Sequence, residues 1–581
     1  MKSRRFEVGT LACTLAWLAM FFCSAASAKL FIVRETEDST RVTSLRGAII
    51  AANHLGGRNT ILLAPRSGNG DHFRRSFRLT IQGPDENEAR TGDLNVTRGY
   101  LTIIVVSPEV TIDATGLGDR VFQVHSNARL TLLNLRITGG SAPPAEDFGP
   151  GANGGGIFNS GELTLRNCVL AKNSSGAPGV TAFSLSGWLP SGSGGAIYND
   201  GYASLTRTII SSNSTPDGGT SDQFGQGVGT GAGAGVFNSG QMLMDRCAVI
   251  GNFCGTAGPG GQISVGIVYY GAVGPGGTGG CGGGILNQGE MTLRFSTLSE
   301  NVSGMGGSGG SGIHGAHGGT GGDGAAICNS GTLAINTCTI SDNVCGNAGQ
   351  GGEGDTGGNG GTGGSGGGIW NEGPAASLEM TSCTVVSNRA GLGGDAGNGT
   401  PTIFSPLPPA SGGNGGSGGG IYNGVTGTNA TCKNTIIALN ILGDGGSPGT
   451  NTYRGLNNPT NEVGNPGAVG SGPDISGDFS SGGFNLIGVG DDSSGLINGT
   501  SADQIGSAAG PIDPLIGPLQ MNCGRTPTHA LLPGSPAINQ GNSFGIHTDQ
   551  RGYSRPYKYP GVPNASGGDG ADIGAFELDS R

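Results

Sequence analysis

A repeated motif, which begins as GGGIFNSGELTLRNCVLAKN at Gly154, constrains the fold of this 581-residue chain more than any other feature. Seven copies precede residue 441, and inserts of variable length separate them. A fixed unit with variable inserts indicates one supersecondary element stacked on itself. Each copy has an Asn after its small-residue run, and these are Asn159, Asn199, Asn238, Asn287, Asn329, Asn371 and Asn423. Each copy closes on a second Asn, and these are Asn173, Asn213, Asn252, Asn301, Asn343, Asn388 and Asn440.

Apolar residues alternate with polar ones inside each copy, as at Leu163 and Leu165 in the first. Period-two runs of a few residues bounded by Gly and Asn predict short, half-buried strands. No stretch of the copies has helical spacing, so equivalent strands of successive copies must pair directly. The sequence therefore predicts an all-β fold: a right-handed parallel β-helix (solenoid) with an N-terminal cap, glycine-rich insert loops and a C-terminal capping domain.

The two Asn columns are explained by such a coil. Equivalent residues of successive turns lie ~4.8 Å apart, so each Asn amide can hydrogen-bond to the amides above and below it. Asn also tolerates the left-handed backbone of a sharp corner, and we expect the first column to occupy such corners. Repetition at every turn favours a structural role. The alternative, that the Asn columns bind sugars, stays open at this point.

Glycine dominates the inserts and accounts for 122 residues of the chain. The insert GMGGSGGSGIHGAHGGTGGDG, which begins at Gly304, is an example. One interpretation is a flexible linker. The GGX rhythm, found at the same corner of successive turns, favours another. In that hypothesis some inserts form extended left-handed helices with three residues per turn, packed side by side with glycine at their contacts.

Residues 1–28 have the pattern of a secretory signal peptide, with a basic start, an apolar run from Leu11 to Phe22 and small residues at 26–28. We predict a secreted or cell-surface protein with no integral membrane segment after signal removal. The formal charge is −11, and it becomes −13 without residues 1–28 because they carry a net +2. An acidic chain argues against a nucleic-acid partner. We expect a monomer whose partner is an extracellular polysaccharide or a cell-surface molecule.

Ten of the twelve cysteines follow the signal peptide. Cys254 and Cys345 share a position two residues past the closing Asn, and we predict them, together with Cys281 and Cys328, as the better disulfide candidates in an exported chain. The remaining cysteines except Cys523 share a second repeat position, and we interpret this column as a stack of buried small side chains. Its members are Cys168, Cys247, Cys338, Cys383 and Cys432, with Thr208, Ser296 and Thr435 in other copies.

The two ends differ from the repeats. We assign residues 29–120 to an N-terminal cap and the first rungs, residues 121–441 to the repeats, and residues 442–581 to the last rungs and a C-terminal domain. The segment SLRGAIIAAN, opened by Ser44, is predicted to form a helix that covers the open end of the core.

Three segments resemble known bacterial exported proteins. SLRGAIIAAN is similar to the CSLREAI-type start of exported β-helix proteins, with Thr43 and Gly47 in place of the usual Cys and Glu. The GGGI and xxN pairs resemble the repeats of polymorphic outer-membrane proteins. NCGRTPTHALLPGSPAINQGN from Asn522, TDQRG and DIGAFE resemble the choice-of-anchor Q domain. The resemblance implies an exported or surface protein with a right-handed β-helix, and it implies no reaction.

Catalysis on a polysaccharide would need acidic residues at equivalent positions of adjacent strands. Glu162, Glu290 and Glu379 are instead isolated from one another, so we predict no catalytic residues and favour a non-enzyme. His314 and His317 share one insert without further ligands beside them, and we interpret them as polar loop residues.

The acidic C-terminal set predicts the one candidate cofactor, Ca²⁺. Its ligands would be Asp549, Asp569, Asp572 and Glu577. The alternative that we favour is a salt-bridged cap in which Arg551 pairs with Asp572. The predicted function is that of a structural or adhesion-type β-helix protein without catalytic activity. The alternative is a carbohydrate-active β-helix enzyme (lyase or glycoside hydrolase) or a polysaccharide-binding protein.

Overall fold

Three long parallel sheets, of 11, 12 and 12 strands, run through the described part of the chain. The computed structural model describes residues 28–65, 75–83, 87–105, 110–146, 149–179, 190–219, 225–262, 273–401, 407–427, 429–453 and 461–579. The predicted signal peptide, apart from residue 28, lies outside the described residues. Each rung contributes one strand to each sheet, and successive rungs pair in parallel register. This confirms the predicted right-handed parallel β-helix.

Within a full repeat the chain passes through sheet 1, sheet 2 and sheet 3 in that order. Sheet 1 comprises Leu94–Val96, Phe122–Val124, Ile157–Asn159, Ile197–Asn199, Val236–Asn238, Ile285–Asn287, Ile327–Asn329, Ile369–Asn371, Ile421–Asn423, Ile475–Asp478 and Ser493–Ser494. Sheet 2 comprises Lys29–Val33, Arg58–Leu63, Gly99–Val105, Ala128–Leu133, Glu162–Arg166, Tyr202–Thr206, Gln241–Asp245, Glu290–Arg294, Thr332–Asn336, Ser377–Thr381, Ala430–Lys433 and Ser480–Ser481. Sheet 3 comprises Arg75–Arg78, Val110–Asp113, Leu135–Thr138, Val169–Ala171, Ile209–Ser211, Ala248–Ile250, Thr297–Ser299, Thr339–Ser341, Thr384–Val386, Ile436–Ala438, Leu486–Ile487 and Gln504–Ile505.

The core lies between the three sheets and runs without interruption from Phe31 to Leu496. It consists of columns of inward side chains that the parallel register places one above another. In sheet 1, for example, Ile157, Ile197 and Val236 are adjacent and fully buried. Burying one such side chain contributes about 1.5–3 kcal/mol, so each rung adds a similar increment to the core.

The tight corners between strands are not formed by the ladder Asn residues, which corrects our expectation. Left-handed φ angles occur instead in three other places of each full repeat, for example at Gly154 (73°), Asn167 (52°) and Lys172 (57°). The first-column Asn has another use: its side chain spans the turn that follows. Asn159 accepts a hydrogen bond from the Gly161 N–H through Oδ1 and donates from Nδ2 to the Gly161 carbonyl, both at 3.3 Å.

The helix predicted near the start is confirmed and spans Leu45–Leu55. Ser44 caps it by accepting a hydrogen bond from the Gly47 N–H at 3.2 Å. Leu45, Ala48 and Ile49 are buried in the same core as the first rungs. Gly47 is required here because a Cβ atom would overlap the carbonyl oxygen of Arg41.

The C-terminal domain, residues 513–579, lies along the outer face of sheet 3 over the last rungs. Two short antiparallel strands, Ile516–Gln520 and Thr528–Leu531, lie within it. A second apolar cluster joins it to the solenoid, with Ile436 from sheet 3 packed in the cluster that holds Ile573 and Phe576. A second hairpin, Thr450–Thr452 with Asn461–Val463, lies in the preceding insert.

Polar contacts fix the position of this domain on sheet 3. The Gln550 side chain accepts a hydrogen bond from Thr339 at 2.7 Å and donates to Thr297 at 2.8 Å. His529 and Ser341 lie 2.9 Å apart. The Thr384 hydroxyl accepts from the Ala575 N–H at 3.0 Å. These hydroxyls point outward from sheet 3, so the face that later rungs present there is buried by the chain's own C-terminal part.

Candidate functional site

The first Asn column is a continuous buried hydrogen-bond ladder. Each Nδ2 donates to the Oδ1 of the next Asn along the axis, at 2.6–2.8 Å. An amide carries both a donor and an acceptor, so one orientation satisfies the whole column. The ladder ends where the Nδ2 of Asn423 donates to the Asp478 carbonyl. All seven side chains are inside the protein, at most 3% exposed. They cannot contact a sugar, and their role is structural.

The second Asn column is also a ladder, with Nδ2-to-Oδ1 distances of 2.8–3.0 Å. Its last member, Asn440, donates to the carboxylate of Asp474 at 2.9 Å. A carboxylate is the right end for a donor chain because it accepts only. Burial raises the pKa of Asp474 above its ordinary value, although the hydrogen bonds from Asn440 and Val489 oppose that rise.

The cysteine column is confirmed for four of its five members. Cys168, Cys247, Cys338 and Cys383 are buried beside the corner between sheets 2 and 3. Cys432 was assigned wrongly: it pairs with Met380 inside sheet 2, and Thr435 takes the column position, where its hydroxyl accepts from the Cys383 N–H. The last copies are longer than the first five, which shifted the alignment by three residues.

The predicted calcium ligands form ion pairs and hydrogen bonds with other groups of the C-terminal domain. Asp549 pairs with Arg551 at 2.7 Å, and Glu577 pairs with Arg555 at 2.7 Å. Our predicted pairing of Arg551 with Asp572 was therefore wrong. Asp572 instead accepts from the backbone N–H groups of Asn539 and Leu578. Within the described ranges no group of three or more His, Cys, Asp or Glu could hold a metal ion.

Two of these carboxyls are electrostatically coupled and buried. Burial, with the neighbouring Glu577 second, raises the pKa of Asp572 to about 7. Burial likewise raises the pKa of Glu577, against the opposing charge of Arg555. Asp569 lies apart from this pair and accepts from the Ser543 hydroxyl and the Ala571 N–H. This arrangement is that of a structural polar core, and calcium binding stays a prediction.

The acidic side chains of sheet 2 form cross-strand pairs. Glu162 pairs with Arg129 at 2.8 Å, and Glu379 pairs with Lys433 at 2.7 Å. The Glu290 carboxylate accepts from the Gln241 amide at 3.0 Å. Each pair joins neighbouring rungs and places no two carboxyls opposite each other. Glycoside hydrolysis requires two carboxyl groups facing one sugar, and these contacts do not provide them.

A cavity of about 200 Å³ lies near the end of the second Asn ladder. Its lining includes Leu439, Val489, Ile512 and the Asp474 side chain. Both Asp474 oxygens accept backbone or amide hydrogen bonds, from Asn440 and Val489. Both carboxylate oxygens therefore already have hydrogen-bond donors from the protein at the end of the ladder.

The glycine inserts form ordered, hydrogen-bonded walls, as the three-residue hypothesis requires. Every third N–H of one insert donates to the returning arm of the preceding insert, at 2.8–3.0 Å, through the pairs Gly304 to Gly280, Gly307 to Gly277 and Gly310 to Gly274. An adjacent set donates to the next insert, at 2.8–3.0 Å, through the pairs Gly306 to Asn347, Gly309 to Gln350 and Gly312 to Glu353. A spacing of three between bonded residues is that of the polyproline II class of helix.

Two walls result, one from the outgoing arms of the inserts and one from the returning arms. The returning wall leads directly into sheet 1, and its exposed side chains form rows from rung to rung. One row is Thr278, Thr320, Thr362 and Asn414; the next is His317, Asn359, Ser411 and Asn465. A third row, next to sheet 1, is half-buried except at its last member, and it consists of Cys281, Asp323, Ser365, Ser417 and Ser471. We call these three rows together the insert face.

Side chains of the insert face also cap backbone groups of the adjacent rung. The His317 ring nitrogen Nδ1 accepts from the Asn359 N–H at 3.1 Å, and Asn359 accepts from the Ser411 N–H at 2.9 Å. His314 contacts the Thr356 hydroxyl at 2.8 Å. These partners agree with our interpretation of the two histidines as polar loop residues. They also hold the rows in register.

The outer side of sheet 1 continues the insert face with an aromatic stack. Phe158, Tyr198 and Phe237 stack with ring centroids 5.1 and 4.5 Å apart and nearly parallel planes. Farther along, Trp370 and Tyr422 hold the equivalent position. The sequence motif shows these aromatics between the inward Ile and the ladder Asn, but we did not recognise them as a column.

Comparisons with known proteins add little. No protein-family model matches the chain, and no curated protein matches it. The resemblance to polymorphic outer-membrane repeats and to the choice-of-anchor Q domain therefore stays a prediction. Among solved structures the chain is similar to tailspike protein 3 of bacteriophage CBA120, with 12% identity and a TM-score of 0.23. The match covers 77% of this chain and 54% of the tailspike, and a similarity this low carries no argument.

Across the described ranges no helix is long and apolar enough to cross a membrane.

Proposed function

We propose that this chain is an exported, non-catalytic scaffold of the adhesion type, and that its insert face contacts an extracellular polysaccharide. The observation that carries the proposal is the returning wall of the inserts, which presents exposed side chains in fixed rows. A flexible linker would have no use for glycine at every contact or for hydrogen bonds at every third residue. The wall therefore supports a role for its outer surface.

The chemistry of the rows favours a neutral, hydroxyl-rich partner. Thr, Ser and Asn supply donors and acceptors, and Asp323 is the acidic residue in the three rows. Burial raises the pKa of Asp323 to about 6. A partner rich in phosphate or sulfate would need a basic surface. A polysaccharide offers regularly spaced hydroxyl groups, which suits rows repeated at ~4.8 Å along the rod.

The test is retention of residues 29–581 on a panel of neutral and acidic polysaccharides, with and without calcium. The double variant Thr320→Arg with Thr362→Arg places two bulky charges on the exposed row. We expect about tenfold weaker retention, or more, for this variant. The matched control is Gln241→Arg with Thr332→Arg, which alters exposed residues of sheet 2 and should bind as the wild type does.

Three outcomes would contradict the proposal. If no polysaccharide retains the protein, a polysaccharide is not its partner. If both double variants lose retention equally, the insert face is not the binding site. New reducing ends or unsaturated products would assign the enzymatic alternative instead.

A further inference from the structure

Two cysteines lie together where the returning wall meets sheet 1. Cys328 occupies the outward position of the strand Ile327–Asn329 and pairs in register with Leu286 of the preceding rung. Cys281 belongs to that preceding rung and directly precedes the left-handed Gly282 (φ 68°). The two Sγ atoms are 2.8 Å apart, which is closer than two non-bonded sulfur atoms normally approach. A small shift would bring them to the bonding distance of about 2.05 Å.

We propose that Cys281 and Cys328 form a disulfide that ties the insert face to sheet 1 across adjacent rungs. The proposal rests on the export of the chain, since disulfides persist in oxidising compartments. In the reaction both S–H bonds break and one S–S bond forms. Two protons and two electrons pass to a disulfide oxidant, such as oxidised glutathione or a thiol–disulfide oxidoreductase, which is reduced to two thiols.

Access to the pair is through Cys281. Cys281 is half-buried, whereas Cys328 is 2% exposed. An external oxidant can therefore form a mixed disulfide with Cys281 first, and the Cys328 sulfur then displaces the oxidant. Burial raises the pKa of Cys328 and so lowers the fraction of its reactive thiolate form.

The sequence offered Cys254, Cys345, Cys281 and Cys328 as disulfide candidates without fixing their pairing, and a bond between Cys254 and Cys345 is excluded by their distance. Ser303 lies between them in the same column, because Phe253 pairs with Val302 and Val302 pairs with Val344. Two rungs separate Cys254 from Cys345 by about 9.6 Å, beyond the ~7 Å limit for Cα atoms joined by a disulfide. Cys254 does lie close to Cys281, since its sulfur is 3.9 Å from the Cys281 carbonyl oxygen. It is therefore a competitor that the experiment must exclude.

The experiment counts free thiols by mass spectrometry in residues 29–581, after treatment with oxidised glutathione and alkylation in denaturant. This form has ten cysteines. We expect eight alkylated thiols without reduction and ten with it. Cys281→Ser should give nine thiols under both conditions. Cys328→Ser leaves glutathione bound to Cys281, since no second thiol displaces it, and should give eight thiols without reduction, nine with it, and no intramolecular disulfide. The control Cys254→Ser should keep the disulfide and give seven without reduction and nine with it.

The proposal is overturned by ten free thiols in the oxidised wild type, or by an intramolecular disulfide that survives in Cys281→Ser or Cys328→Ser. It is also overturned if Cys254→Ser loses the disulfide. A lower thermal midpoint on reduction of the wild type, without such a shift in Cys281→Ser, would support the tie between rungs. Polysaccharide retention is measured separately, so either proposal can fail alone.

Discussion

At the scale of single residues, the Asn ladders show why one amide can be repeated at every rung. An Asn side chain donates once along the axis and accepts once, and its remaining N–H reaches a backbone carbonyl, as that of Asn159 reaches Gly161. Buried amides without partners would each cost about 1–3 kcal/mol. The repeat was visible in the sequence, whereas the direction of the chain of bonds and its end at Asp474 were not. Asp474 lies beyond a long insert, where the motif is too degraded to align.

We predict that Asn287→Asp destabilises the solenoid by roughly 3 kcal/mol. The carboxylate would place an oxygen against the Oδ1 of Asn329, where the native Nδ2 donates at 2.8 Å. Chemical denaturation measures the change. Asn465→Asp, at an exposed position, is the control and should be close to neutral. Equal stability of Asn287→Asp and the wild type would show that the ladder is dispensable.

At the scale of elements, the inserts pack side by side into walls because glycine, which has no Cβ atom, recurs at the positions where their backbones come into contact. The GGX rhythm predicted extended helices, and the described inserts bear out that prediction. The sequence could not decide which N–H bonds to which neighbour, since arms far apart in the chain supply the partners. These arms come close enough to form hydrogen bonds only when the rungs that carry them are stacked.

Glycine at an insert contact should therefore resist even the smallest substitution. A Cβ atom on Gly319 would overlap the carbonyl oxygen of Gly277, and we expect Gly319→Ala to cost about 1–3 kcal/mol. Gly510 has no atom within 4 Å of its Cβ position, so Gly510→Ala should stay within about 0.5 kcal/mol of the wild type. Thermal unfolding and hydrogen exchange of the inserts measure the difference. A neutral Gly319→Ala would contradict the packed wall.

At the scale of the whole molecule, the C-terminal domain turns part of the solenoid surface into a second core. Outward residues of sheet 3 are exposed in early rungs, as Ile209 is at 42%, and buried in later ones, as Ile436 is at 1%. The two occupy the same register column. The repeat pattern assigns the same outward environment to both, so it could not reveal the difference.

This pair gives a matched test of the docking. Ile436→Lys places an ammonium group among Ile573 and Phe576 and should cost about 3 kcal/mol or more, with the C-terminal domain released first. Ile209→Lys changes the equivalent exposed residue and should leave stability nearly unaltered. Protease sensitivity of residues 513–579 reports the release. Equal sensitivity in the two variants would argue against docking on sheet 3.

The sequence by itself determined the β-helix, because a local motif of alternating apolar residues and Asn needs only its own copies to complete each rung. The three-residue rhythm of the glycine inserts suggested extended helices but left a flexible linker open, and the hydrogen bonds at every third residue favour the first. Tertiary structure decided what the copies share with distant segments: the nearness of Cys281 to Cys328, the end of the second Asn ladder at Asp474, and the covering of sheet 3. These contacts join residues whose separation in the chain follows no repeat, so no periodicity records them.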